Sequence, residues 1–70
     1  MIEYVVETFR CGEYKNFTAF TDLVKARRKA AQVSKKSDDV SYIVAMRDGQ
    51  RIGHMVYGDG KFLRQEGDGF

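Results

Sequence analysis

The chain has few of the residues on which catalysis and covalent cross-linking depend. Its 70 residues contain no proline or tryptophan, one cysteine and one histidine. A lone cysteine, Cys11, excludes an internal disulfide and a zinc site built from several cysteines. Without proline, the chain has no proline-set kinks or rigid turns. Because an unpaired cysteine fits a reducing compartment, we expect a cytoplasmic protein.

Long hydrophobic runs are also missing. No stretch approaches the roughly 18 apolar residues that a membrane-spanning helix needs. The first nine residues, MIEYVVETF, include Glu3 and Glu7 and no basic residue, which is not the pattern of a signal peptide. We therefore expect no membrane association.

The chemistry of an active site has little support. A catalytic centre needs several reactive groups that converge, and His54 and Cys11 could meet only through long-range folding. The segment Gly58–Lys61 resembles part of a phosphate-binding loop, but Phe62 stands where that loop has a hydroxyl and strand-forming residues follow. We expect no enzyme activity, no metal site and no cofactor.

The residues that are present predict an α+β domain. Alternation of apolar and acidic residues from Ile2 onward indicates a half-buried strand, and residues 14–18 indicate a weaker second one. Three further strands follow a helix. We predict one basic amphipathic helix on a small antiparallel sheet of four to five strands, in the order β(β)αβββ. Residues 1–65 should form a single compact domain, with 66–70 as a frayed tail.

The helix has recognisable ends. Thr21 is a suitable N-cap, and Asp22 is expected in the first turn, where the helix dipole favours an anion. Lys35 and Lys36 are expected in the last turn, and Ser37-Asp38-Asp39 should end the helix. At 100° per residue, Leu23 and the alanines gather on one side, which predicts close packing on the sheet.

The helical segment is also strongly basic. Residues 21–36 hold six basic residues against Asp22, a net charge of +5, which leaves −3 for the rest of a chain of +2. A stripe of this kind could track nucleic-acid phosphates, dock on an acidic protein surface, or simply face solvent. The candidate nucleic-acid contacts are Lys25, Arg28, Lys29, Gln32, Lys35 and Lys36.

The two Asp-Gly pairs predict tight hairpin turns and hence a strand register. A two-residue turn at Asp48-Gly49 pairs Arg47 with Gln50 and, further along, Ala45 with Ile52. This register sorts the side chains into two faces. The face predicted to lie beneath the helix consists of Tyr42, Val44, Met46, Met55, Tyr57 and Phe62.

The opposite face should remain uncovered, because one helix can cover only one side of a sheet. It is nevertheless partly aliphatic, and exposed apolar clusters often mark interaction sites. The candidate protein-interface residues are Val5, Phe9, Ile43, Ala45, Ile52, His54, Val56 and Leu63. We hypothesise a small non-enzymatic binding protein that contacts itself or another protein through this face. The alternative is a nucleic-acid-binding protein that uses the basic helix.

Overall fold

The computed structural model describes residues 1–36 and 39–70. Its elements follow the predicted order, with the helix after the first two strands. They are β1 (Ile2–Arg10), β2 (Glu13–Phe20), α1 (Leu23–Val33), β3 (Asp39–Arg47), β4 (Gln50–Gly58) and β5 (Lys61–Gly67).

The five strands form one antiparallel sheet in the order β2-β1-β3-β4-β5. The α+β class and the antiparallel sheet are therefore confirmed, and the weaker second strand exists as an edge strand. The connection from β2 through α1 to β3 passes across β1 on one side of the sheet. That side is called the helix face below, and the other side is called the open face.

Each hairpin is closed by a two-residue turn that ends in glycine. Asp48-Gly49 has φ angles of 52° and 80°, and Asp59-Gly60 has angles of 56° and 75°. Cys11-Gly12 adopts the same shape, with 51° and 81°. Positive φ at both central residues matches the twist of the flanking strands and favours Asp-Gly, so the two predicted Asp-Gly turns are confirmed.

The helix is shorter than predicted at both ends. Asp22, and not Thr21, is the N-cap: its side chain accepts a hydrogen bond from the Val24 N–H at 2.9 Å. The helix ends at Val33 with Ser34 as C-cap, so Lys35 and Lys36 lie beyond its last turn. The Ser37-Asp38 part of the predicted end lies outside the described residues.

The core is the contact between the helix and three central strands. Ala26 and Ala30 are fully buried, and their small side chains let α1 approach the sheet closely, as predicted. The residues buried with them from the sheet are Val6, Ile43, Met55 and Tyr57. Ser34 ties the far end of the helix to the β4–β5 turn, because the Gly60 N–H donates to its hydroxyl at 3.1 Å.

A β-bulge reverses the predicted orientation of β3. The turn register holds through Met46 and Arg51, but Ala45 then pairs with Gly53, which leaves Ile52 as the extra residue. A slip of one residue turns every following side chain to the other face. Ile43 and Ala45 therefore lie on the helix face, whereas Tyr42, Val44 and Met46 lie on the open face. The prediction for Met55, Tyr57 and Phe62 is consistent with the structure.

The last residues pack on the sheet, which differs from the predicted frayed tail. β5 continues to Gly67, and the Asp68 N–H donates to the Ile52 carbonyl at 2.9 Å. The Tyr4 hydroxyl donates to the Gly69 carbonyl at 2.8 Å, and the Phe70 ring lies 6.0 Å from the Tyr4 ring. The tail passes directly over Gly53, where a Cβ would lie 2.4 Å from the Asp68 carbonyl oxygen.

Within the described residues, no helix has the length and apolar character needed to cross a membrane.

Candidate interaction surfaces

The open face carries a continuous set of apolar side chains. Of the elements that the structure describes, only α1 lies outside the sheet, and it packs on the other side. The strand registers assign the following large apolar or aromatic residues to the open face: Val5, Phe9, Tyr14, Phe17, Val40, Tyr42, Val44, Met46, His54 and Val56. Leu63 is the extra residue of a bulge in β5, and its side chain lies beside Gly58 on the same face.

Five of the eight predicted interface residues lie on this surface: Val5, Phe9, His54, Val56 and Leu63. The other three do not. Ile43 and Ala45 are fully buried on the helix face, Ile43 beneath α1 and Ala45 beside Gly69. Ile52 also lies beside Gly69 on that face. The bulge explains this correction, because it reverses β3 relative to β4. Tyr42, Val44 and Met46 replace them, and only knowledge of the bulge could have identified these three.

A row of four rings crosses the open face from the edge strand β2 to β4. The Phe9 ring centroid lies 5.7 Å from that of Tyr14 and 5.4 Å from that of Tyr42, both in edge-to-face geometry. His54 continues the row, 5.9 Å from Tyr42. Such contacts restrain the rings, so the row presents a firm apolar surface.

The two valines at the centre of the face are already shielded. Val44 is 2% exposed and Val56 is 5% exposed, although no helix covers them. The surrounding side chains therefore lean over them, and what faces outward is aromatic and amphipathic. A groove of about 450 Å³ runs across the face, lined by Glu7, Phe9, Gly12, Val40, Tyr42 and Arg51.

Charges on this face are arranged in rows. In one row, Glu3 of β1 pairs with Met46 of β3, which pairs with Arg51 of β4. In another, Glu7 lies in line with Tyr42 and Val56 and then with Arg64 of β5. The acid therefore lies on one side of β3 in each row and the arginine on the other.

His54 has one acidic neighbour on this face. Its Nε2 lies 3.6 Å from a carboxylate oxygen of Glu66. Across residues 1–36 and 39–70, no group of three His, Cys, Asp or Glu side chains is placed to hold a metal ion.

The second surface is a cleft on the helix face, between the exposed flank of α1 and the β1–β2 hairpin. We call it the basic cleft. It encloses about 630 Å³, and the residues that line it are Thr8, Arg10, Lys15, Asn16, Phe17, Thr18, Lys29, Gln32, Val33, Lys36 and Asp39.

The predicted basic stripe is divided by this arrangement. Lys29, Gln32 and Lys36 line the cleft. Lys25 and Arg28 are exposed outside it, and the Lys35 side chain lies against Gly60 of the β4–β5 turn. The structure adds Arg10 and Lys15 from the hairpin, which had no helical periodicity to reveal them.

Of the described residues that line the cleft, one carries a carboxylate, and it is paired. Arg10 Nε donates to Asp39 Oδ1 at 2.9 Å, and the Asp39 side chain is buried. This hydrogen bond is the main reason that the pKa of Asp39 is lowered, and the charges of Arg10, Lys36 and Lys15 act in the same direction against the cost of burial. Asp39 is therefore ionised at neutral pH and offsets Arg10.

Arg27 lies on the opposite flank of the helix. Its Nε donates a 2.8 Å hydrogen bond to the Tyr57 hydroxyl, which satisfies a polar group at the top of the core. The guanidinium therefore holds α1 to β4 and does not belong to the basic cleft.

No known protein family, curated protein or solved structure matches this chain.

Proposed function

We propose that this chain is a non-enzymatic binding protein that forms a homodimer through its open face. The observation that carries the proposal is the arrangement of charge around the apolar centre of that face. In two rows an acid lies on the β1 side of β3 and an arginine lies on the β4 or β5 side, and a third row has Glu66 on the β5 side beside His54. A surface of this kind is complementary to a second copy of itself.

The symmetry can be worked out from the strand order. A twofold axis that runs along β3, between two copies stacked face to face, places β4 of one copy opposite β1 of the other. Glu3 then faces Arg51 in the same row, and Glu7 lies one strand away from Arg64. Because a twofold interface is the same patch on both copies, every such pair occurs twice.

The size of the face suits a stable dimer. Five strands spaced about 4.8 Å apart, each rising about 3.3 Å per residue, give a face of roughly 700 Å². Stable interfaces bury about 800 Å² per partner. Aligned packing of two sheets would place the aromatic rows in contact, as in a β-sandwich.

The amino-acid composition of the open face also favours a protein partner. Aromatic residues and arginine are enriched in protein interfaces, and Phe9, Tyr14, Tyr42 and Arg51 supply both here. Acidic Glu3 and Glu7 on the same surface disfavour a phosphate-rich partner. The open face therefore supports protein contact better than nucleic-acid contact.

Sedimentation velocity across a dilution series tests the proposal. The wild-type protein should shift from dimer to monomer on dilution. Leu63→Asp should weaken dimerisation at least tenfold, because Leu63 is 59% exposed on the open face and the variant buries an unpaired carboxylate in each copy.

Val24→Asp is the matched control. Val24 is 56% exposed, but it lies on α1 and away from the open face. It should dimerise as the wild type does. A wild-type chain that stays monomeric at all concentrations, or equal losses in the two variants, would contradict the proposal.

A further inference from the structure

We propose that the basic cleft binds the phosphate backbone of single-stranded nucleic acid. This site is independent of the dimer, because it lies on the opposite side of the sheet. It also differs from a helical stripe, since half of its cations come from the β1–β2 hairpin.

The basic cleft is positively charged. Lys15, Lys29 and Lys36 line it, and within the described part of the chain no carboxylate lies within 4.0 Å of their amines. Asp39, the acid among the described residues of the lining, already accepts a hydrogen bond from Arg10. Three ammonium groups around one concavity concentrate a positive potential there.

The arrangement of these groups suits a chain of phosphates. Lys29 lies on α1, and Lys36 lies three residues beyond Val33, where the helix ends. Stacked nucleic acid carries one phosphate per roughly 3.4 Å of each strand. Lys15 faces them from the hairpin, so the cleft can contact about three successive phosphates.

The dimensions favour a single strand over a duplex. A volume of about 630 Å³ corresponds to a cube with an edge of about 9 Å. A B-DNA duplex is wider than its major groove, which alone measures about 12 Å. The duplex therefore cannot enter a cleft of this size. Polar side chains from both walls, Asn16, Thr18 and Gln32, can bond bases or sugars within the cleft.

Among the described residues that line the cleft, no aromatic ring is placed to stack on a base. Phe17 borders the cleft, but the strand register pairs it with Glu7 and assigns its side chain to the open face. Lysine contacts to phosphate without a stacking ring predict binding that is weak and insensitive to sequence.

Fluorescence anisotropy with labelled decathymidylate tests the site. Neutralising about three phosphates on a single strand gives a log–log salt slope near −2. Affinity should therefore fall roughly 16-fold between 50 and 200 mM salt. The triple variant Lys15→Gln, Lys29→Gln, Lys36→Gln should bind at least tenfold more weakly and with a smaller slope.

The matched control removes the same charge from outside the cleft. Lys25→Gln, Arg28→Gln, Lys35→Gln should retain affinity within about threefold, because only long-range attraction is lost. Equal losses in the two triple variants would mean that the whole helix attracts the strand, and would overturn the cleft.

A measurement on the wild-type chain avoids any folding defect in the variants. In a ¹⁵N-correlation titration with decathymidylate, the side-chain amides of Asn16 and Gln32 should shift, and the backbone amides of Tyr42 and His54 should not. Shifts confined to the open face, tighter binding of duplex than of single strand, or no binding at low salt would each contradict the proposal.

Discussion

The two sides of the sheet provide two surfaces of opposite character. The open face is aromatic, nearly balanced in charge, and ordered by rows that run straight across neighbouring strands. The basic cleft is polar and cationic, and it forms only where α1 and the β1–β2 hairpin come together. Strand register therefore determines the open face, whereas the position of the helix determines the basic cleft.

The two surfaces should respond differently to salt. Contacts between apolar rings are not weakened by added ions, so salt should remove only the contribution of the Glu–Arg pairs to the dimer. The attraction of lysines for phosphate, in contrast, is screened throughout. Dimerisation should therefore persist at salt concentrations that release a bound strand. This difference allows each surface to be perturbed without the other.

The largest expected effect tests which side chains of β3 face the helix. Ile43→Ala should lower the free energy of unfolding by about 3 kcal/mol, because it opens a cavity under α1. Met46→Ala, on the open face, should cost about 1 kcal/mol, since a half-exposed site leaves no closed cavity. Urea unfolding at low protein concentration, where dimers do not contribute, measures both. If Met46→Ala lowered the free energy of unfolding more than Ile43→Ala, the result would support the register without a bulge.

A charge exchange tests the symmetry of the open face. Arg64→Glu should weaken dimerisation about tenfold, because Glu7 and the new glutamate repel each other twice per dimer. Adding Glu7→Arg should recover most of that loss, with the dimer dissociation constant measured by sedimentation. A double variant that dimerises more weakly than either single variant would mean that Glu7 and Arg64 are not neighbours across a twofold axis.

The smallest effect concerns acid stability on the cleft side. The pKa of Asp39 is lowered in the folded protein, so its pairing with Arg10 stabilises the fold fully above the unfolded value of about 3.9. That contribution is lost as the pH falls through the lower, folded value. Asp39→Asn should be less stable at neutral pH and show a shallower decline in acid. An unchanged pH profile of unfolding would show that the pair contributes nothing.

Much of the fold follows from local signals. Asp48-Gly49 and Asp59-Gly60 predicted hairpins because those pairs accept positive φ, and the structure has both. Alternation in β1 correctly placed Val6 toward the core and Val5 away from it. These predictions succeeded because each depends on residues that are adjacent in the chain.

The candidate sites were less accessible to sequence reasoning. Because Ile52 is an extra residue in β4, Tyr42 and Val44 lie on the open face, where the sequence had predicted Ile43 and Ala45. Nothing in the residues around Ile52 distinguishes a bulge from regular pairing, because both registers bury aliphatic side chains. The C-terminal prediction was wrong for a similar reason: Gly53 leaves room for the tail, and only the folded sheet brings them together.

The sequence by itself determined the class of the fold, the order of its elements, its two Asp-Gly turns and the excess of positive charge near the helix. These depend on backbone preference and periodicity, which act over a few residues. Only the tertiary structure decided which face of β3 is covered, and that Lys15 joins Lys29 and Lys36 around one cleft. The first outcome depends on how β3 pairs with β4, where a shift of one residue reverses a whole surface. The second depends on where α1 packs against the sheet.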